Sequence, residues 1–249
     1  NAIGDAPDDL LETVFGEAGI DHLTIPAITG PQTQFRLAWF PEGPHFFTAG
    51  GWHYPAETKA YASTGVRPAR ADWLPTRNVL EAVCARAEKL ALRTTMSVET
   101  SAFDGPLKNA VDAHHRNAWG QIVGPPRACP SSPAFRELLQ ATLDDLAQFG
   151  PAALHVAISA GDDCVPRPAA TRGWLGDSDR GPVCFCGACR QIALSAGVDA
   201  DQAARVVRAE AAQSLARAAA MPAGATAGSA ARSVLQAPLD PEGVLEQYE

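Results

Sequence analysis

Two amphipathic helices, each running directly into an apolar strand, set the strongest limit on the fold. Residues 77–90, "RNVLEAVCARAEKL", put Leu80, Val83, Cys84, Ala87 and Leu90 on one helical face. "LRTTMSVET" (92–100) follows at once, with Leu92, Thr94, Met96 and Val98 on one side of a strand. Residues 131–150, "SSPAFRELLQATLDDLAQFG", repeat the arrangement. Ser132 fits the N-cap and Pro133 the first helical position, where a missing N–H costs nothing. Phe135, Leu138, Leu139, Thr142, Leu143 and Leu146 form the apolar stripe, Asp144 and Asp145 read as a solvated edge, and Gly150-Pro151 ends the helix. "ALHVAISA" (153–160) is then apolar enough for a strand covered on both faces. A strand at 21–28, "DHLTIPAI", precedes both pairs.

Strands alternating with helices imply βαβ units and a parallel sheet. The fold expected is α/β of the (β/α) TIM-barrel type. Three strands are clear where a closed barrel needs eight, so the expectation is an incomplete barrel, the N-terminal part, spanning residues 1–221 and including a Cys-rich loop at 161–190. Helices are expected near 187–196 and 200–219. Residues 222–231, "PAGATAGSAA", read as a low-complexity linker and 232–249 as the start of a further helix. Between the first strand and first helix, residues 29–76 carry Trp39, Phe40, Phe46, Phe47, Trp52 and Tyr54, which need burial or a ligand. "HFFTA" reads as one strand of a hairpin.

The chain has 249 residues, 46% of them hydrophobic and 19% charged, and a net charge of −8. No basic stripe is present to replace phosphate counterions, so nucleic acid and anionic membrane surfaces are disfavoured as partners. No window approaches the roughly 18 apolar residues of a membrane span, and no signal peptide is visible. A cytoplasmic, reducing location is the expectation, which favours free thiols or metal over disulfides. The phosphate-cradling glycine motifs are missing, so no nucleotide cofactor is expected, and no G-x-S-x-G elbow occurs.

Three of the six cysteines fall in "PVCFCGACRQIA" (182–193). In C-x-C-x-x-C the thiols of Cys184, Cys186 and Cys189 can reach one ion, and a structural zinc takes four ligands. Cys164, His155, Asp177 and Asp179 are the candidates for the fourth. A disulfide or redox role and unliganded thiols are the alternatives. Cys84, on a helix core face, reads as packing.

In parallel α/β folds ligands bind at the carboxyl ends of the strands. That rule selects Glu99 after the second strand and Asp162 and Asp163 after the third. Two carboxylates roughly 5–10 Å apart are what glycoside hydrolysis needs. Aromatic faces such as Trp52 suit a sugar. "HHRNAWG" adds His115, Asn117 and Trp119 as binding candidates, against the plainer reading of His114 and His115 as surface loop residues.

The order of these segments resembles a group of bacterial glycosyl-hydrolase-like TIM-barrel proteins. The residues carrying the resemblance are Asn117 and Gly120, then Cys129, Pro130 and Pro133, then Cys184, Phe185, Cys186 and Cys189, then Gly197, Val198 and Asp199. It covers roughly residues 8 to 210. It implies a barrel acting on or binding a carbohydrate, with Glu99 and Asp162 or Asp163 as the acid pair and a structural zinc beside the site. In that group the third strand often ends in Glu-Ser, where this chain has Ile158-Ser159. A non-catalytic, zinc-stabilised sugar-binding or scaffold module is therefore the second reading. A metal-dependent hydrolase using the cysteines or histidines is the third. Open sheet edges would invite self-association.

Overall fold

The computed structural model describes residues 13, 15–35, 45–48, 50–71, 74, 78–122, 127–158 and 184–219. The chain divides into two compact units, Asn1–Asn109 with Ala134–Ser159, and Ala110–Pro133 with Ala160–Glu249. The linker and the further helix expected beyond residue 221 lie outside the described residues.

The first unit holds β1 (His22–Thr29), β2 (Gln32–Phe35), β3 (His45–Thr48), β4 (Gly51–Trp52), α1 (Val79–Lys89), β5 (Arg93–Glu99), α2 (Pro133–Ala147) and β6 (Ala153–Ala157). Its main sheet runs in the order β4-β1-β5-β6. β1, β5 and β6 are parallel neighbours, and β4 pairs antiparallel with β1. The expected α/β class with parallel strands is present, as a mixed four-stranded sheet that does not close. β2 and β3 form the separate antiparallel hairpin that "HFFTA" suggested.

Local chemistry accounts for the element ends. Asn78 caps α1 by accepting a hydrogen bond from the Glu81 amide at 3.2 Å. α2 begins at Pro133, as the Ser-Pro pair predicts. Gly150 leaves α2 with φ +62°. Pro26 is tolerated in a central strand because the β1–β5 register slips between Pro26 and Ile28.

Two sequence expectations fail here. β6 is not covered on both faces: among the described residues it is the edge strand, with His155 exposed and Ile158 52% exposed. Asp145 is not on a solvated edge but only 3% exposed. Its carboxylate accepts from the Glu57 amide at 3.3 Å and from Gln148 Nε2 at 2.7 Å. Burial raises its pKa, against the pull of hydrogen bonds from Tyr61 and Glu57. Helical periodicity places a residue on a face but does not reveal that the covering chain brings polar partners.

From the aromatic excursion, Trp52, Tyr54 and Tyr61 are buried in the core of this unit, while Trp39 and Phe40 lie outside the described residues. Trp52 is 1% exposed and stacks on Phe103 with ring centroids 5.9 Å apart, and Phe103 meets the edge of Phe135 at 5.5 Å. Trp52 Nε1 donates to the Tyr61 hydroxyl at 3.3 Å, which lies 3.2 Å from the Tyr54 hydroxyl.

The second unit holds α3 (Gly187–Ser195) and α4 (Ala200–Ala219). A short antiparallel contact joins residues 113–115 to 127–129, through the His114–Ala128 bridge and the Cys129 amide on the Ala113 carbonyl. Phe185 packs with Ala118, Ala203 and Ala204 in its apolar core. No helix among the described residues is long and apolar enough to cross a membrane.

Candidate metal centre and strand-end residues

Four sulfurs converge in the second unit. The Sγ atoms of Cys129, Cys184, Cys186 and Cys189 all lie within 4.8 Å of one another. The local geometry follows from the sequence. In the extended Cys184-Phe185-Cys186 segment alternate side chains point to opposite sides, so both thiols share one side while Phe185 fills the apolar core on the other. Cys186 is the N-cap of α3, and Cys189, three residues on, returns to its side. The Cys186 amide donates to Cys184 Sγ at 3.4 Å. Cys129 arrives on the other segment, fixed by its amide on Ala113 and by the Ser132 amide on its own carbonyl.

Cys129 is thus the fourth thiol. The fourth ligands proposed from sequence do not supply it: His155 is exposed on β6, outside this cluster, and Cys164, Asp177 and Asp179 lie outside the described residues. The signal for Cys129 was its place in the C-P-x-x-P segment, but its long separation from the other three hid the pairing.

Hydrogen bonds from Cys129, Cys184 and their neighbours lower the pKa of Cys186 and Cys189. The Cys184 thiol is pushed up by its contact with Cys129 first, then Cys186 and Cys189. Cys129 is lowered by Cys184, but its contacts with Cys186 and Cys189 and its burial outweigh this and raise it. Four thiolates cannot ionise together at such distances without a cation. A single ion with sulfur ligands at about 2.3 Å sets its sulfurs about 3.8 Å apart. The 3.6 Å between Cys129 and Cys189 fits one shared ion. The four residues could bind a metal ion as they stand.

The other binding candidates of this unit fall into separate roles. Asn117 is buried, and its Oδ1 accepts from the Trp119 and Gln121 amides at 3.0 and 2.9 Å, so it shapes a turn. Trp119 is 47% exposed. His115 is half-buried, its pKa lowered by burial and raised in part by the nearby Cys186. His114 is 1% exposed, not a surface residue as its loop suggested, and neither of its ring nitrogens has a hydrogen-bond partner among the described residues.

In the first unit, Glu99 sits at the carboxyl end of β5, and its Oε2 accepts from the Gly30 amide at 2.8 Å, tying the ends of β1 and β5 together. Gly30 lies so close to Ser101 that an added Cβ would stand 1.8 Å from Ser101 Oγ. Beside it is a residue the sequence reading did not select. His53 Nδ1 lies 2.7 Å from the Pro26 carbonyl and Nε2 3.0 Å from Thr29 Oγ1. A carbonyl only accepts, so Nδ1 carries the proton and the Thr29 hydroxyl donates to Nε2. Burial lowers the His53 pKa, against opposing effects from Pro26 and the Glu99 charge. Trp52, offered as a sugar platform, is a core residue here. Asp162 and Asp163 lie outside the described residues.

Because the folded value of His53 is depressed below 6.5, its contribution to stability is present above that pH and is lost as pH falls through the folded value. Urea unfolding at pH 7 and pH 5 should show stability dropping on the acid side by up to about 1.4 kcal/mol per pH unit from this group. His53→Gln should remove that part of the slope. An unchanged slope would show that His53 is solvated in the folded protein.

No protein-family model, no curated protein and no solved structure matches the chain.

Proposed function

We propose that the second unit is a zinc-clamped module, with Cys129, Cys184, Cys186 and Cys189 as the four ligands of a structural site. The observation that carries this is the approach of all four sulfurs to within 4.8 Å of one another. All-thiolate donors suit zinc, and a polynuclear iron–sulfur cluster needs its thiolates further apart. Four protein ligands complete a tetrahedron and leave no open position for a substrate, which favours a structural over a catalytic ion. Bound there, the ion would join the segment carrying Cys129 to the start of α3. Elemental analysis of purified protein tests this, with one zinc per chain expected.

A second reading rests on Glu99. The first unit would be the start of a glycosyl-hydrolase-like barrel, acting on or binding a carbohydrate at the carboxyl end of its parallel strands. Its support is a carboxylate anchored at that end, beside a buried histidine. Glu99 would serve as one acid of the pair, with the segment after β6 supplying the other. On a panel of aryl glycosides, Glu99→Gln is expected to lower kcat by at least about a hundredfold with folding unchanged. Turnover that survives Glu99→Gln would remove the acid-pair assignment; a wild type that binds sugars without turnover would leave a binding module.

A further inference from the structure

The four thiols differ in exposure. Cys129, Cys184 and Cys186 are 1%, 7% and 0% exposed, whereas Cys189 is only partly covered, on the first turn of α3. Cys189 Sγ also lies 3.6 Å from Cys129 Sγ, across the two segments that the cluster joins. Reactivity of a thiolate follows its access to the reagent. A sulfur ligating zinc is already a thiolate and needs only access.

We propose that Cys189 is an oxidation site for hydroperoxides, and that its oxidation exchanges the metal clamp for a Cys129–Cys189 disulfide. The reading of the cluster as a metal site is the basis of this inference. The Cys189 thiolate attacks one oxygen of hydrogen peroxide, breaking the O–O bond to give Cys189 sulfenate as its acid and one hydroxide. The Cys129 thiolate then attacks the Cys189 sulfur, forming the S–S bond and expelling a second hydroxide. Two electrons leave the two sulfurs and reduce the peroxide. Only Cys184 and Cys186 remain as ligands, too few to retain the ion, which departs as the divalent cation.

The pairing has a structural consequence. A Cys184–Cys186 or Cys186–Cys189 bond would close a small loop within one segment and leave Cys129 unattached. A Cys129–Cys189 bond spans the same two segments that the metal joins. The oxidised, metal-free unit therefore keeps its tie, whereas removal of metal by a chelator under reducing conditions loses it. Oxidation and chelation are expected to give different products from the same loss of metal.

The test uses the zinc-loaded full chain titrated with hydrogen peroxide. Metal release is followed with a chromogenic chelator, pairing by non-reducing peptide mapping, and folding by circular dichroism. Release of the ion with a single Cys129–Cys189 linkage and retained helical signal is the expected result. Cys189→His, which puts a nitrogen ligand in place of the partly exposed thiol, should release metal at least about tenfold more slowly. Linkage of Cys186 to Cys189, over-oxidation without any linkage, or equal release from Cys189→His would overturn the inference. Protein that never takes up zinc sinks the reading of the site itself, a separate outcome.

Discussion

Cys129→Ser is expected to abolish tight zinc binding and to destabilise the second unit, while leaving the first unit folded. Cys129 is the only one of the four thiols contributed by the 127–131 segment. The other three lie within six residues of one another and could still share an ion, but that ion would no longer join two parts of the chain. The loss in zinc affinity should exceed the roughly 10–100-fold seen when a partner outside the ligand shell is removed. In structural zinc sites the binding free energy, on the order of 10–16 kcal/mol, is largely folding free energy. Competition titration against a calibrated chelator and proteolysis of the second unit would measure both effects. Serine keeps the size of the side chain, so near-normal affinity would mean that Cys129 packs beside the ion without ligating it.

Trp52→Ala carries the second large effect, and it falls on stability. The indole is 1% exposed, stacked on Phe103 and hydrogen-bonded to Tyr61. Truncating a buried aromatic of this kind costs about 3–5 kcal/mol, from lost transfer energy and the cavity left behind. The Tyr61 hydroxyl loses a donor besides. Trp52→Phe should recover a good part of the loss, since the stack on Phe103 survives. Equilibrium denaturation of the three proteins reports the differences. A Trp52→Ala protein as stable as the wild type, with weakened sugar binding, would return Trp52 to the role of binding platform suggested by its neighbourhood in the sequence.

The parts of the fold written in local periodicity were legible in the sequence. α1, β5, α2 and β6 follow from apolar spacing and from the Ser132-Pro133 start. Their parallel pairing follows from the alternation. The burial of β6 was misread because an apolar strand looks the same at the edge of a sheet as in its middle; only the neighbours differ. Asp145 was misread for a related reason. Its burial depends on Tyr54, Tyr61 and Glu57, brought over α2 by a segment with no helical or strand period. The thiol cluster was three-quarters legible, since C-x-C-x-x-C fixes three sulfurs by local geometry. The fourth depends on the contact between residues 113–115 and 127–129, which no spacing rule encodes. His53 escaped for the same reason: it follows β4 while its partners Pro26 and Thr29 are on β1, and its tautomer is set by a carbonyl.

The most direct test of the central claim is X-ray absorption at the zinc edge on purified protein, with metal content measured on the same sample. One zinc per chain, surrounded by four sulfurs at about 2.3 Å, is the expected result. A protein free of metal whose thiols react at once, or a zinc with nitrogen or oxygen in its shell and fewer than four sulfurs, would contradict it.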